Sequence, residues 1–304
     1  MVRVRYVTEN GIITPPNRFG MTVLFGQRRL HVRSCIQSLL HFTLVFCSLF
    51  SSALSADVPP IAQGVTSCLA AMSRPGSNVS RLPSTFRLVT WNIEKGNNPR
   101  WMEDLEVYQH RPQLLLLQEA YIPSPFASLV WPVLHESFSE GYRAPKRQTG
   151  VMTISSVRPH LHCALTAFEP WLTTPKATTV TRYGLAKSTE DLLVVNAHLV
   201  NFEWGVTGFT EQWGEIEQII RNHQGPLIVA GDFNTWNPAR MAVLSEVKAK
   251  HNLQSVSFMP DSRTTAFGLP LDHVLFRKLQ TTKAAVMVSN KSDHNSLWVH
   301  LTSN

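Results

Sequence analysis

Six stretches of this 304-residue chain bring a polar side chain to the end of an apolar run. FRLVTWN closes on Asn92, with Glu94 two residues on, and QLLLLQEA closes on Gln118 and Glu119. LLVVNAHLV carries Asn196 and His198 at alternate positions, and IVAGDFNTW delivers Asp232 and Asn234. LDHVLFR opens on Asp272 and His273, and SDHNSLWVHL opens on Asp293 and His294. Each alone is an ordinary strand-end or turn residue. Together they are carboxylates, carboxamides and imidazoles, with no lysine among them. Gathered in a dry place, the like charges would repel at high cost. A divalent cation offsets that cost, and hard oxygen ligands favour magnesium or manganese over zinc. Histidines that titrate near neutrality add proton transfer. The set suits attack of water on a phosphodiester or phosphomonoester.

The elements that must position these groups are legible from periodicity. Phe86–Asn92, Gln113–Ala120, Gly150–Ser156, Ala177–Gly184, Leu192–Val200, Leu271–Arg277 and Ser292–Leu301 read as strands. The run in Gln113–Ala120 is nearly continuous, as for a strand covered on both faces. Helices are expected near Pro99–His110, Thr210–His223 and Pro238–Lys250. Strands and helices that do not alternate strictly predict an α/β fold, two sheets packed face to face with helices outside. Period-two alternation turns Asp232 and Asn234 to one face and Phe233 to the other. By the same rule His273 faces away from Asp272 and is structural, and Trp91 points into a core.

The formal charge of +7 looks like an affinity for nucleic acid, but its distribution weakens that reading. Before residue 84 there are eight Lys/Arg against two Asp/Glu (+6); from residue 84 there are twenty against nineteen (+1). Duplex binding draws on phosphate contacts, so the nearly neutral remainder weakens the DNA reading and leaves nuclease and lipid or small-molecule esterase both open. Of Cys35, Cys47, Cys68 and Cys163, only the last falls in the expected domain. It reads as a packed core thiol with no disulfide partner there, and no CxxC spacing suggests zinc.

The N-terminal part divides into an extension over residues 1–56 and a Pro- and Ser-rich linker over 57–84. The extension carries a basic block at 28–33 and an apolar segment at 35–54, then Ala53-Leu54-Ser55, a small-x-small pattern. Basic, apolar, then small is the layout of a secretory signal, or of a single membrane anchor with its basic side cytoplasmic. A poorly ordered extension is the third reading. Gln37 and His41 interrupt the apolar run, and the basic block begins far from Met1.

TWNIE, LLQEA, NAHL, GDFN, PLDHV and SDHN, in that order over about residues 86–302, resemble the endonuclease/exonuclease/phosphatase superfamily. TGVMTIS, VNFEWGV and AGDFNTWNPARM look closest to its bacterial YafD-like subgroup. The resemblance implies a four-layer sandwich, two mixed β-sheets with helices outside, formed by residues 85–304, and a magnesium site (manganese also fits) at one sheet edge. It implies Glu119 and Asp293 as metal ligands, with Asn92 beside them. It implies Asp232 and Asn234 as the pair that positions phosphate and water. Asp272 orients His294, the general acid/base, and His198 contacts phosphate or the leaving group. Glu94 falls where one branch places a further metal-side carboxylate.

The implied activity is hydrolysis of a phosphodiester in nucleic acid, phospholipid or a small molecule. A silent scaffold that binds proteins is the alternative, and it would have lost ligands that all six blocks retain. The stretch Arg5–Pro16 also resembles the start of the subgroup, which implies translation from Met1 and a cytoplasmic protein. Export, or membrane association through 35–54, is the competing expectation.

Overall fold

Alternation along the strands sorts the side chains onto three apolar cores, and those cores define the layers. The computed structural model describes residues 60–76, 80–106, 111–128, 134–144 and 147–303. The extension, with its apolar segment 35–54, lies outside the described residues. Among the described residues no helix is long and apolar enough to cross a membrane.

In chain order the elements are β1 (Ala62–Gln63), α1 (Gly64–Met72), β2 (Arg81–Leu82), β3 (Thr85–Asn92), α2 (Glu103–Glu106), β4 (Leu114–Ile122), β5 (His135–Ala144), β6 (Arg147–Ser155) and β7 (Leu161–Phe168). They continue with β8 (Pro175–Leu185), β9 (Asp191–His198), α3 (Thr207–Arg221), β10 (Leu227–Asp232) and α4 (Pro238–Lys250). The last are β11 (Gln254–Ser255), β12 (Thr265–Ala266), β13 (Leu269–Pro270), β14 (Asp272–Arg277), β15 (Leu279–Met287) and β16 (Ser296–Ser303). An eight-stranded sheet runs β1-β7-β8-β9-β10-β14-β11, with β2 paired to β8. A six-stranded sheet runs β15-β16-β3-β4-β6-β5, and β12–β13 is a separate hairpin.

Both sheets are mixed, and their inner faces share one core. Leu88, Leu114 and Leu116 from the six-stranded sheet meet Val194, Ile228, Val274 and Phe276 from the other. The outer face of the eight-stranded sheet is covered by α1, α3 and α4. In α3 the buried residues are Phe209, Gln212, Trp213, Ile216, Ile219 and Ile220, an i, i+3, i+4, i+7 stripe. Helix α4 starts where expected, because Asn237 caps it through the Arg240 N–H and Pro238 fills the first turn. The outer face of the six-stranded sheet carries Trp91, Trp101, Leu105 and Phe126, with the short α2 as its described α-helix and Phe126 in a 3-10 turn over Pro125–Ser128. The helix expected over Pro99–His110 is thus four residues long among the described ones, and 107–110 lie outside them.

Two expectations are corrected. The linker expected over 57–84 contains β1, α1 and β2, and β1 pairs in parallel with β7 through Ala62↔Cys163. Cys163 is not a lone thiol: it is disulfide-bonded to Cys68 of α1, 95 residues away. Proline and serine content conceals the helix GVTSCLAAM, whose Cys68 is fully buried in the outer core. Strands β5, β7 and β15 also escape notice in the sequence, where their apolar alternation is weak.

Candidate active site

The site lies where inner-facing rows of apolar residues turn polar at one end of the gap between the sheets. On β10, Ile228 and Ala230 face inward and Asp232 continues that row. Pairing aligns Asp232 with His198 of β9 on one side and with Asp272 of β14 on the other. Neighbouring strands in register turn paired side chains to the same face, so His198, Asp232 and Asp272 form one row. From the opposite sheet, β3 delivers Asn92, and the turn before β16 delivers Asp293 and His294.

Beneath this row lies a buried hydrogen-bonded layer. Gln118 Nε2 donates to Thr90 Oγ1 (3.1 Å) and Asn196 Oδ1 (2.7 Å), and Asn196 Nδ2 donates to the Met152 carbonyl (3.0 Å). Asn196 thereby ties the two sheets together under the site. The engaged donors of Gln118 and Asn196 fix sheet-to-sheet geometry more firmly than apolar contact alone, while Gln118 Oε1 is buried without a partner among the described residues.

Asp232 is the hub. Its Oδ2 accepts from Asn92 Nδ2 at 3.1 Å and lies 3.4 Å from His198 Nε2 and 3.8 Å from His294 Nε2. Its Oδ1 accepts the Asn234 N–H at 3.0 Å. His294 Nδ1 bonds Asp272 Oδ2 at 2.8 Å, so the imidazole is oriented with Nε2 towards Asp232. Burial opposes a charge on His294, but Asp272 and Asp232 outweigh it and raise its pKa to about 10. Burial also raises the Asp272 carboxyl, against the pull of its imidazolium partner. His198 is held well below its ordinary pKa by burial first and by Lys176 second. Lys176 Nζ lies 2.7 Å from His198 Nε2, and a neutral imidazole accepts there.

Strand alternation does not by itself place Asn234. Strand β10 ends at Asp232, and Asn234 has φ 51°, a left-handed conformation. Its carboxamide donates to the Leu199 carbonyl at 2.9 Å. Arg240, fully buried, holds the loop by donating to the carbonyls of Val200 (2.6 Å) and Asn234 (3.0 Å). Phe233 packs away from the site, edge-on to Trp213 and stacked on His273. His273 bonds Thr235 Oγ1 at 2.7 Å, and burial lowers its pKa to about 3, as befits a structural residue. Trp91 is likewise a core residue, and its Nε1 donates to the His294 carbonyl at 2.8 Å.

Glu119 and Asp293 lie towards the rim. A bulge in β4 between Leu117 and Ala120 gives Glu119 a φ of 50°. Bulges of this kind re-aim a side chain at a strand end. Asp293 has a raised pKa, from burial first and, against the opposing charge of His294, from the nearby Glu94 and Glu119. Three carboxylates thus repel one another, while Asn92 Oδ1 accepts only the Glu94 N–H and keeps a lone pair. Lys95 Nζ lies 2.5 Å from Glu119 and is half exposed. This all-oxygen donor set fits a hard divalent cation. Asp232, Asp272 and His294 also place one potential ligand atom each within 4.8 Å of one another. There, however, His294 Nδ1 and Asp272 Oδ2 are engaged with each other, which suits an acid–base pair better than a chelate.

Asn92, Glu119, His198, Asp232, Asn234, Asp272, Asp293 and His294, with Glu94 beside Asp293, lie at this end of the sandwich. No local pattern marks Lys95 or Lys176 as site residues, and Arg240 is signalled only by its place in the NPARM run.

Residues 89–294 match the sequence model of the Endonuclease/Exonuclease/phosphatase family. The chain belongs to that family. Its curated relatives are bacterial: UPF0294 proteins of Vibrio cholerae serotype O1 are 42% identical over 231 residues, covering 74% of this chain and 80% of theirs. One from Photorhabdus laumondii is 36% identical over 216 residues, covering 71% and 83%. Among solved structures, the human Nocturnin catalytic domain with bound sulfate superposes with TM-score 0.56 at 17% identity, over 74% of this chain and 97% of that one. Zebrafish TDP2 complexed with a single-strand DNA product gives 0.52 at 14%, over 72% and 100%. These likenesses establish the sandwich fold of the endonuclease/exonuclease/phosphatase family. Family membership places the chain among hydrolases that cleave phosphoesters with divalent metals.

Proposed function

We infer that this protein is a magnesium-dependent phosphodiesterase. The observation that carries the reading is the in-register row His198–Asp232–Asp272, faced by His294 with its Nε2 directed at Asp232. Glu119 and Asp293, with Asn92 beside them, would hold the cation, which supplies charge neutralisation for the phosphate when bound. Asp232 and Asn234 position the phosphate and the attacking water. His294, oriented by Asp272, exchanges the proton at Nε2 as a P–O bond forms to water and the ester P–O bond breaks. His198 and Lys176 meet the anionic oxygens or the departing alkoxide.

The test is turnover of bis(p-nitrophenyl) phosphate. We expect activity that a chelator abolishes and magnesium restores, with losses of roughly 100-fold or more in Glu119→Ala, Asp232→Ala and His294→Ala. Undiminished turnover in all three would refute the assignment. The buried Cys68–Cys163 disulfide supports an oxidising compartment over a cytoplasmic one. Fractionation of the native host, with the protein found in the cytosol and its thiols reduced, would overturn that placement.

A further inference from the structure

An aromatic cavity of about 400 Å³ opens beside Asn234. Its walls include Trp171, Phe202, Trp204, Trp236 and Phe267, drawn from four separate connections, Trp236 from the one between β10 and α4. Trp171 sits in the β7–β8 turn, Phe202 and Trp204 between β9 and α3, and Phe267 at the tip of the β12–β13 hairpin. Trp171 and Trp204 touch at 5.1 Å between ring centroids, and Trp236 and Phe267 at 6.0 Å. Trp204 is 86% exposed and Phe267 88%, with Leu172 next to Trp171 at 54%. Folding alone gives no reason to place large apolar side chains there.

The hairpin sharpens the point. Phe267 (φ 51°) and Gly268 (φ 80°) both have positive φ, as a type I′ turn requires. Asn, Asp or Gly normally fills the first of these positions; a phenylalanine there is strained, and its ring gains little burial in return.

The charges choose among occupants. Among the described residues no lysine or arginine lines this cavity, and the one carboxylate, Glu203, is buried and engaged with Arg240 and the N–H groups of Gly208 and Phe209. A polynucleotide would need cations for its flanking phosphates. The cations Lys95 and Lys176 line a second cavity of about 310 Å³ that also holds His198, and Phe202 borders both. Glu119 lines the same slot and pairs with Lys95. A slot carrying both charge signs thus lies beside an uncharged aromatic rim, the order of headgroup and glycerol–acyl boundary at a zwitterionic bilayer, where tryptophan and phenylalanine settle.

We propose that the rim formed by Trp171, Leu172, Trp204 and Phe267 docks on a zwitterionic phospholipid surface and presents lipid phosphodiesters to the site. The substrate half of this statement rests on the phosphodiesterase reading; the docking half does not.

The test uses the full chain, phosphatidylcholine vesicles and the double variant Trp204→Ala/Phe267→Ala. Vesicle partitioning is expected to fall at least ten-fold in the variant, while turnover of soluble bis(p-nitrophenyl) phosphate stays within two-fold of the parent. Because the apolar segment 35–54 is present in both proteins, tryptophan quenching by brominated phosphatidylcholine reads the rim itself, and quenching of the parent no greater than that of the variant overturns the docking. Tryptophan quenching by a single-stranded oligonucleotide, lost in the variant and without any vesicle response, overturns it in favour of base stacking. A parent that is dimeric and a variant that is monomeric overturns it in favour of a second copy. Absence of bis(p-nitrophenyl) phosphate turnover alongside variant-sensitive vesicle binding refutes the catalytic reading and leaves the docking confirmed.

Discussion

Removing the Cys68–Cys163 crosslink with Cys68→Ala/Cys163→Ala tests how the first helix is attached to the catalytic core. The two cysteines are 95 residues apart, and the closed loop holds β2 to β6 and much of the six-stranded sheet. Closing a loop of that length removes about 16 cal/mol/K of chain entropy from the unfolded state, or ~4.7 kcal/mol at 25 °C. For a domain of this size, ~2–4 °C of Tm accompanies each kcal/mol, so the variant should melt roughly 9–19 °C lower. Both sulfurs are fully buried against the outer core, so the lost packing adds to the entropic effect. The assay is thermal unfolding of protein folded under oxidising conditions, with alkylation of the unreduced, denatured chain followed by peptide mass analysis. A Tm within about 2 °C of the parent would refute the entropic argument. Labelling of both Cys68 and Cys163 without reductant would refute the crosslink itself.

Gly231→Ala should destabilise strongly, by ~3 kcal/mol or more, because φ is 139° and an added Cβ would lie 2.0 Å from the Ala197 carbonyl oxygen; a variant with parental Tm and turnover would refute this. Lys176→Met removes a positive charge 2.7 Å from His198 Nε2, which favours the imidazolium. The His198 pKa should therefore rise, and the acidic limb of the pH profile of kcat/KM should move to higher pH; an unmoved limb would contradict the pairing. His162 and His273 are lowered by burial to about 4 and about 3. The unfolded chain takes up these protons near pH 6.5 and the folded one does not, so stability is full above 6.5 and declines below it. By pH 4 the loss should be ~3 kcal/mol for each histidine, measured by urea unfolding between pH 7 and 4, and a flat dependence over that range would count against both.

Much of the site was legible in the sequence because strand ends are local. A polar residue that closes an apolar run extends a row already committed to the inter-sheet face, and Asn92, His198, Asp232 and Asp272 do so. Six such ends, ordered along the chain, indicated two facing sheets and the chemistry between them. Asn234 shows where the periodic argument stops: alternation holds within a strand, and a left-handed residue after its end is oriented by Arg240 and the Leu199 carbonyl instead.

The sequence by itself determined the chemical types at the site and the strands that carry them, because side-chain period and apolar content are properties of a few consecutive residues. Only the tertiary structure decided which distant groups share a space. It set Lys176 against His198 and Cys68 against Cys163, and it gathered aromatic residues from four connections around one mouth. These pairings depend on sheet register and on how the connections fold back over the site. No local pattern records either.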